Sequence, residues 1–336
     1  MSRPQNILLL SFLVIATGCS MKPAAVGDGG SLVVIADELD CPIIRKALDE
    51  KFSRMIATPH DEPLFEITWE DGNSIAAKTR SPLLLMASTL DGEGPTADLL
   101  KRMLTPEVEK GIRAGDFSIF KRKDPWARQQ LMFILVGRDK LELGKRMEEW
   151  IDSLHVWAVD FEIKRLQSMV GKARKHYEYQ NFIDNKHGFK LTLQVDYIEA
   201  QENDSLDFVR FIRHYPDRWI MIAWGRNGSE LNPEFIYQRR KAAGEVFLDP
   251  IDTYNDHLTW EQTSFLGQPA IKIRGIWATK EPIGGGPFFT YGFTCPDNDF
   301  YYIIDCCVLA PGQTKRPFLW QLEALAHTFM TVQTDG

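Results

Sequence analysis

The chain has 336 residues, which is enough for two domains of ordinary size. Its content of 44% hydrophobic and 25% charged residues is that of a folded globular protein and excludes a disordered or fibrous chain. The formal net charge of −7 offers no broad attraction to phosphate backbones, so nucleic acid is not an expected partner.

The first residues have the pattern of an export signal. A single positive charge, Arg3, precedes the apolar run Ile7–Ala16. That run has about half of the ~20 residues that a membrane-spanning helix needs. Small residues then lead to Cys19, so we assign residues 1–18 to a signal peptide. Residues 19–31 are polar and rich in glycine, which predicts a flexible tether.

The small residues before Cys19 resemble the lipobox of bacterial lipoproteins. In that family the cysteine thiol receives a diacylglyceryl group, cleavage exposes its amine, and the amine is acylated in turn. The resemblance implies a firm membrane anchor, since a single acyl chain gives only marginal binding. Ser20 stands where an Asp retains some lipoproteins in the inner membrane, so we expect the periplasmic face of the outer membrane. A plain signal peptide with a chance cysteine is the alternative.

Short apolar runs alternate with helical periodicity over residues 32–183, which predicts an N-terminal α/β domain. Helices are predicted to begin at Pro42, Thr96 and Asp139, the last one long and apolar along one face. The predicted strands are Leu32–Ala36, Leu64–Trp69, Leu83–Ser88, and an antiparallel pair formed by Phe117–Lys121 and Gln130–Val136.

The polar cluster Asp184–Gly188 predicts a boundary, and residues 184–336 form the predicted C-terminal domain. Helices are expected from Pro233, with Asn232 as its cap, and over Pro317–Met330. Runs of strands with so few helices predict a mainly antiparallel sheet packed on helices, which makes the fold class α+β. The predicted strands are Phe189–Val195, Phe208–His214, Trp219–Trp224, Ala270–Ala278, Phe288–Cys295 and Phe300–Leu309.

The order of elements in this second half resembles the domains of the photosystem accessory protein P and its bacterial relatives. The opening strand Gly188–Leu193, a central helix, the segment Leu266–Ala270, a final hairpin and a terminal helix follow one another as in those domains. The likeness is one of topology.

A second resemblance covers nearly the whole chain. The lipobox and six further segments are similar to a family of uncharacterised bacterial lipoproteins defined by a single domain of unknown function. The resemblance implies export, lipidation and an α+β build, and it implies no activity. The six segments are Val33–Asp37, Asp61–Phe65, Asp124–Ala127, Arg274–Trp277, Gly285–Phe288 and Ala310–Gly312.

The sequence contains no catalytic or cofactor motif. The segment Gly137–Lys145 lacks the glycine spacing of a phosphate-binding loop, and Arg146 replaces the hydroxyl residue that would bind magnesium. There is no nucleophile elbow, and the seven histidines are scattered without the spacing of a zinc site. We therefore expect no catalytic residue, metal or cofactor.

The strongest candidate binding site is a run of three glycines that includes Gly285 and Gly286. Glycine lets the backbone approach a ligand or partner closely, although a special backbone path explains the run equally well. Arg274, Trp277 and Asp305 lie on predicted strands beside this run. Their guanidinium, indole and carboxylate groups are expected to line one cleft.

These features together favour a non-enzymatic binding or accessory module of the cell envelope, which contacts an envelope protein or a small ligand. The alternative is a periplasmic hydrolase that draws Asp37, Asp305 and Arg274 from separate strands. Asp37 and Asp40 form a carboxylate pair after the first strand, but capping of the helix at Pro42 explains them as well.

We predict that Cys295 and Cys306 are not bonded to each other. In the predicted hairpin Cys295 faces Phe300, so Cys306 lies six residues further along, about 20 Å at ~3.3 Å per residue. A disulfide needs Cα atoms within ~7 Å. Cys306 and Cys307 are neighbours in a strand and point to opposite faces, and the sequence leaves the state of Cys41 open.

The lipid anchor gives the first testable prediction. Radiolabelled palmitate added to growing cells should enter the wild-type protein and should be absent from Cys19→Ala, because only the thiol and the new amine of Cys19 accept acyl chains. The measurement is the label in the immunoprecipitated protein. Equal label in the two proteins would refute both the lipoprotein assignment and the expected localisation.

Overall fold

The computed structural model describes residues 22–226, 231–246, 252–253, 257–280, 283–296 and 298–331. The predicted signal peptide and Cys19 lie outside these residues. The helices are α1 (Cys41–Phe52), α2 (Ile75–Lys78), α3 (Pro95–Met103), α4 (Pro106–Ala114), α5 (Lys140–Lys172), α6 (Tyr177–His187), α7 (Pro233–Glu245) and α8 (Arg316–Ala326).

The strands comprise parallel and antiparallel sets, and with the helices they confirm the α+β fold class. They are β1 (Ser31–Ile35), β2 (Met55–Ile56), β3 (Glu62–Pro63), β4 (Glu66–Glu70), β5 (Leu83–Thr89), β6 (Ile119–Lys123), β7 (Leu131–Gly137), β8 (Phe189–Lys190), β9 (Glu199–Asn203), β10 (Phe208–Arg213), β11 (Asp217–Arg226), β12 (Asp252–Thr253), β13 (Thr259–Phe265), β14 (Gln268–Thr279), β15 (Gly284–Cys295), β16 (Phe300–Leu309) and β17 (Met330–Thr331).

The first half folds around a five-stranded sheet with the order β4-β1-β5-β7-β6. Its first four strands are parallel, and β6 runs antiparallel to β7 as predicted. Helices α1 and α5 cover one face, and α3 and α4 cover the other. Coverage on both faces explains why β5 and β7 are buried along their whole length. The chain leaves β1 toward β4 and returns to β5, which creates a topological switch point between β1 and β5.

The second half folds around an eight-stranded sheet with the order β12-β14-β15-β16-β11-β10-β9, in which β13 also pairs with β14. Helices α6 and α8 cover one face and α7 covers the other. In the hairpin of β15 and β16, Cys295 faces Phe300 and Cys306 faces Phe289, which confirms the register expected from the sequence. Neither Cys295 nor Cys306 forms a disulfide.

The strand predicted over residues 189–195 is wrong beyond the two residues of β8. Leu191 and Leu193 are buried in alternation with polar neighbours, which is the pattern of a strand. The backbone between them bonds to a side chain, because the amide of Thr192 donates to the hydroxyl of Thr328 at 3.0 Å. Alternating burial therefore arises here without a long partner strand.

The predicted boundary between residues 183 and 184 falls inside α6. Ile183 is buried in the core of the second half, and the polar residues after it form the last turn of the helix. The helix ends at Gly188, whose φ of 68° is a left-handed conformation that glycine adopts readily. The polar cluster thus marks a helix end, and the division into two domains there stays a prediction.

Residues 22–30 lie along the amino ends of the parallel strands, where the sequence predicts a flexible tether. The amide of Ala25 donates to the carbonyl of Arg128, just before β7, and the amide of Arg128 donates to the carbonyl of Pro23. These bonds have lengths of 2.9 and 2.8 Å. The described part of the segment is therefore held against the folded body.

Helix α8 packs on both halves of the protein. Trp320 on one side meets the ring of Phe65 edge-on at 5.3 Å, and its indole donates to the carbonyl of Leu64 at 3.2 Å. Leu322 and Leu325 on the other side belong to the core of the second half. The cores of the two halves therefore meet at this helix.

Truncation of Trp320 tests this bridging role. We expect Trp320→Ala to lower the free energy of unfolding by about 3–5 kcal/mol, because it removes a buried aromatic side chain. Denaturant titration measures this loss. Trp260, whose side chain is 58% exposed, is the matched control, and Trp260→Ala should stay within about 0.5 kcal/mol. Equal effects of the two substitutions would contradict the assignment.

Candidate functional site

The structure separates the residues that were expected to line one cleft. Arg274 and Trp277 are three positions apart on β14, and side chains alternate between the two faces of a strand. Trp277 and Asp305 lie on the face covered by α7, whereas Arg274 lies on the face covered by α8. The predicted common cleft is therefore wrong, and a binding role for the individual residues stays a prediction.

Asp305 is buried beneath α7 in a network of polar side chains. Its carboxylate accepts hydrogen bonds from Nε of Arg240 at 2.7 Å and from the hydroxyl of Thr290 at 2.6 Å. The Arg240 guanidinium also lies 3.5 Å from the centre of the Phe288 ring. Burial opposes the charge of Arg240, but Asp305 and Cys307 outweigh it and raise the pKa of the guanidinium. The network is an internal ion pair.

The opposite face of the sheet carries a second buried network. The ammonium of Lys272 donates to Glu323 and to the hydroxyl of Tyr291, both at 2.7 Å, and the Tyr291 hydroxyl also donates to Glu323. Burial lowers the pKa of Lys272 to about 8, although Glu323 opposes this shift. Arg274 lies outside this network and pairs with Glu261 at 2.6 Å. These contacts fix α8, which carries Glu323, to the sheet.

Close packing accounts for the glycines of the predicted binding loop. Gly286 faces Trp277 across the ladder, and a side chain at Gly286 would place its Cβ 2.0 Å from the carbonyl oxygen of Val308. At Gly285 the Cβ would lie 2.7 Å from the carbonyl oxygen of Trp277. Both contacts involve backbone atoms, which cannot move aside easily. Close packing therefore accounts for Gly285 and Gly286, and a binding role for these two residues stays a prediction.

Asp37 and Asp40 both lie at the switch point between β1 and β5, but their carboxylates accept hydrogen bonds from different groups. The Asp37 carboxylate accepts the amides of Thr96 and Ala97 at 2.8 and 3.0 Å, so it caps α3. This corrects the expectation that it caps the helix after Pro42. Asp40 occupies the N-cap position of that helix without a side-chain cap bond and accepts the hydroxyl of Ser88 at 3.3 Å. Burial, followed by the charge of Asp37, raises the pKa of Asp40.

The hydrolase residues named from the sequence do not meet. Asp37 follows β1 in the first sheet, while Asp305 and Arg274 lie on opposite faces of the second sheet. Within the described ranges, the acidic, histidine and cysteine side chains form no cluster that could hold a metal ion. Among the same residues, none of the helices is long and apolar enough to cross a membrane.

Sequence reasoning missed Arg240, Lys272 and Glu323. A signal for Arg240 exists, because it shares the buried face of α7 with Ile236 and Ala243 at a spacing of four and three residues. A charged residue on an apolar stripe indicates a buried partner. Its partner, Asp305, is 65 residues away in the sequence, so only the fold identifies the pair.

Two surface clefts lie in the first half, among the residues that the structure describes. One has a volume of about 430 Å³ and lies at the amino end of the parallel sheet. It is lined by Lys22, Met103, Lys121, Arg122, Lys123, Asp124, Pro125 and Trp126. The other has a volume of about 310 Å³ and lies where α5 begins, at the carboxyl end of the sheet. It is lined by Arg138, Asp139, Leu141, Glu142, Lys145, Arg146 and Glu149.

Residues 176–328 match a protein family described as "Domain of unknown function (DUF4837)". This confirms the expectation of a family defined by one domain of unknown function. The matched range includes the three resemblance segments of the second half, and the three segments of the first half lie outside it. No curated protein matches the chain in sequence. No specific activity is assigned by this match.

Several solved structures are similar to about half of the chain. The Ran-binding protein Mog1p of Saccharomyces cerevisiae is 8% identical with a TM-score of 0.31, over 44% of this chain and 91% of its own. LpqN, involved in cell envelope biogenesis of Mycobacterium tuberculosis, is 10% identical with a TM-score of 0.29, over 48% and 99%. A protein of Bacteroides thetaiotaomicron is 10% identical with a TM-score of 0.28, over 44% and 47%. Similarities of this degree assign no function.

The buried ion pair gives a prediction about stability. We expect Asp305→Ala to lower the free energy of unfolding by about 3–5 kcal/mol, because it leaves the Arg240 guanidinium buried without its carboxylate. Arg274→Ala is the control: its pair with Glu261 is partly exposed, and the loss should be at most about 1 kcal/mol. Urea unfolding of both variants measures the difference. A mild effect of Asp305→Ala would leave its carboxylate available for binding a ligand.

Proposed function

We propose that this chain is a non-enzymatic binding or accessory module of the cell envelope. Lipids on Cys19 anchor it to the periplasmic face of the outer membrane, and its folded body presents a surface to an envelope protein or a small ligand. The observation that carries this proposal is the attachment of residues 22–30 along the amino end of the first sheet.

That attachment orients the protein relative to its anchor. Lys22 is the third residue after Cys19, and three residues of extended chain reach at most about 11 Å. The amino end of the first sheet therefore faces the membrane. The carboxyl end of β7 lies six residues beyond its first residue, about 20 Å away along the strand at ~3.3 Å per residue, and faces the periplasm.

The carboxyl end of the sheet has the features of a binding surface. In open α/β sheets, ligands bind outside the carboxyl ends of the strands near the switch point. Leu39, after β1, is 71% exposed and Leu141, at the start of α5, is 72% exposed. The two helix starts lie side by side, because a Cβ on Gly144 would contact Ile43 at 3.2 Å. The smaller cleft adjoins Leu141.

The alternative is a periplasmic hydrolase. Asp40, with its raised pKa beside Asp37, is the feature of the described residues that favours it most. Both oxygens of Asp37 are already engaged by the amides of α3, however, and Asp40 is only 3% exposed. A carboxylate that activates water must reach its substrate, so this arrangement supports a structural role.

Site-specific photo-crosslinking in intact cells tests the proposed surface. A photoreactive amino acid placed at Leu39 or Leu141 should give a heavier covalent product that mass spectrometry identifies. The control position is Met330 on β17, which is 62% exposed and lies in the second half. Products at all three positions alike, or at none of them, would contradict a dedicated surface at the carboxyl end of the sheet.

A further inference from the structure

We infer that the larger cleft binds the phosphate of an anionic phospholipid headgroup in the membrane that holds the anchor. This inference rests on the proposed lipid anchor, because the anchor places the cleft at the bilayer. The cleft joins a basic stretch of β6 to the described start of the chain at Lys22. The family match covers residues 176–328 and does not include this region.

The lining of the cleft is mostly basic. Four of the eight residues that line it are Lys or Arg, and Asp124 is the only acidic one. The ammonium of Lys22 donates to the carbonyl of Asp124 at 2.5 Å, a neutral partner that leaves its charge uncompensated. The ammonium of Lys121 lies 4.1 Å from the centre of the Trp157 ring, on the face of the sheet opposite to Trp126, so binding of an anion in the cleft does not depend on it.

Arg122 and Lys123 supply the remaining charge. Both side chains are exposed, and no carboxylate among the described residues pairs with either of them. The Asp124 carboxylate accepts the amide of Gln130 at 2.9 Å, so it serves the β6–β7 turn. The charge at the cleft is therefore positive, although the whole chain has a formal net charge of −7.

The cleft lies close in the chain to the residue that is proposed to carry the lipid. Lys22 lies three residues after Cys19, so the cleft cannot be more than about 11 Å of extended chain from the acylated residue. Anionic lipids attract basic residues within a Debye length of the bilayer surface, which is about 8 Å at physiological ionic strength. Trp126 lines the same cleft, and Trp side chains favour the interface between headgroups and acyl chains.

The cleft is also large enough for a lipid headgroup. A volume of about 430 Å³ lies within the ~300–1,000 Å³ range of small-molecule sites, so a headgroup phosphate and its glycerol fit. Guanidinium and ammonium groups are the usual donors to phosphate. The site would complement the acyl anchor, since one membrane contact combined with a basic patch binds more firmly than either alone.

Lysine labelling of the full-length protein in lipid nanodiscs tests the inference. The protein is incorporated into discs of phosphatidylcholine alone or of phosphatidylcholine with phosphatidylglycerol, and acetylation of each lysine is followed by mass spectrometry. We expect acetylation of Lys22 and Lys123 to slow by about five-fold in the anionic discs and to recover in high salt. Lys140 and Lys145, at the other end of the sheet, are internal controls and should keep their rates.

Equal rates for Lys123 in both kinds of disc would overturn the inference. A third sample, neutral discs with added inorganic phosphate, separates the possible sources of the anion: slowing there would show a site for free phosphate and would also overturn it. Arg122→Gln should reduce the protection of Lys123, whereas the matched change Lys145→Gln should leave it intact. Protection that survives both changes would refute the contribution of the cleft.

The same samples distinguish failure of the anchor from failure of the cleft. The mass of the N-terminal peptide reports directly whether Cys19 carries acyl chains. Absence of acyl chains would refute the proposed anchor, and labelling with phosphatidylglycerol vesicles would then decide the cleft by itself. Acylated protein with unprotected lysines would refute the cleft and leave the anchor standing.

Discussion

The contact between helix α8 and the first half is the interaction on which the rest of the structure depends. Glu62, from the short strand β3, accepts the amides of Lys315 and Arg316 at 2.7–2.9 Å and so caps the helix from a distance of 253 residues in the sequence. The unpaired amides of a helix start favour an anionic group, and this carboxylate is almost completely buried. The ring of Trp320 on the same helix then packs edge-on against Phe65 of the first half.

Helix α8 also contacts the buried charged residues of the second half. Glu323, one turn after Trp320, binds Lys272 and Tyr291 on the sheet. Asp305 and Arg240 form the corresponding pair on the other face. Buried charges are costly unless they are paired, so both networks specify how the helices sit on the sheet. The charged residues that first suggest chemistry are, in this arrangement, the ones that hold the layers together.

The first half carries both of the clefts described above. The amino end of its sheet holds residues 22–30, and its carboxyl end points away from them. Under the proposed anchor at Cys19, the two ends face different environments. A basic cleft at the amino end and exposed leucines at the opposite end fit this proposed polarity, because each suits the medium it would meet.

The sequence by itself determined the α+β class and most of the long elements, since these follow from local composition and periodicity. The export signal that it also predicts lies outside the described residues and stays a prediction. The sequence placed β1, β5, β7 and the strands of the final hairpin within a few residues of their observed bounds. The expectation that Arg274 and Trp277 line one cleft was wrong, because side chains three positions apart on a strand point to opposite faces.

Only the tertiary structure decided the partners of the buried charges, the cap of α8 and the position of residues 22–30. Asp37 caps a helix about sixty residues later, and Glu62 caps one about 250 residues later, and no local pattern encodes such distances. Leu191 and Leu193 likewise alternate as in a strand although their backbone has no long partner. Burial depends on neighbours that the fold brings together, so periodicity can identify a buried side chain without identifying what it contacts.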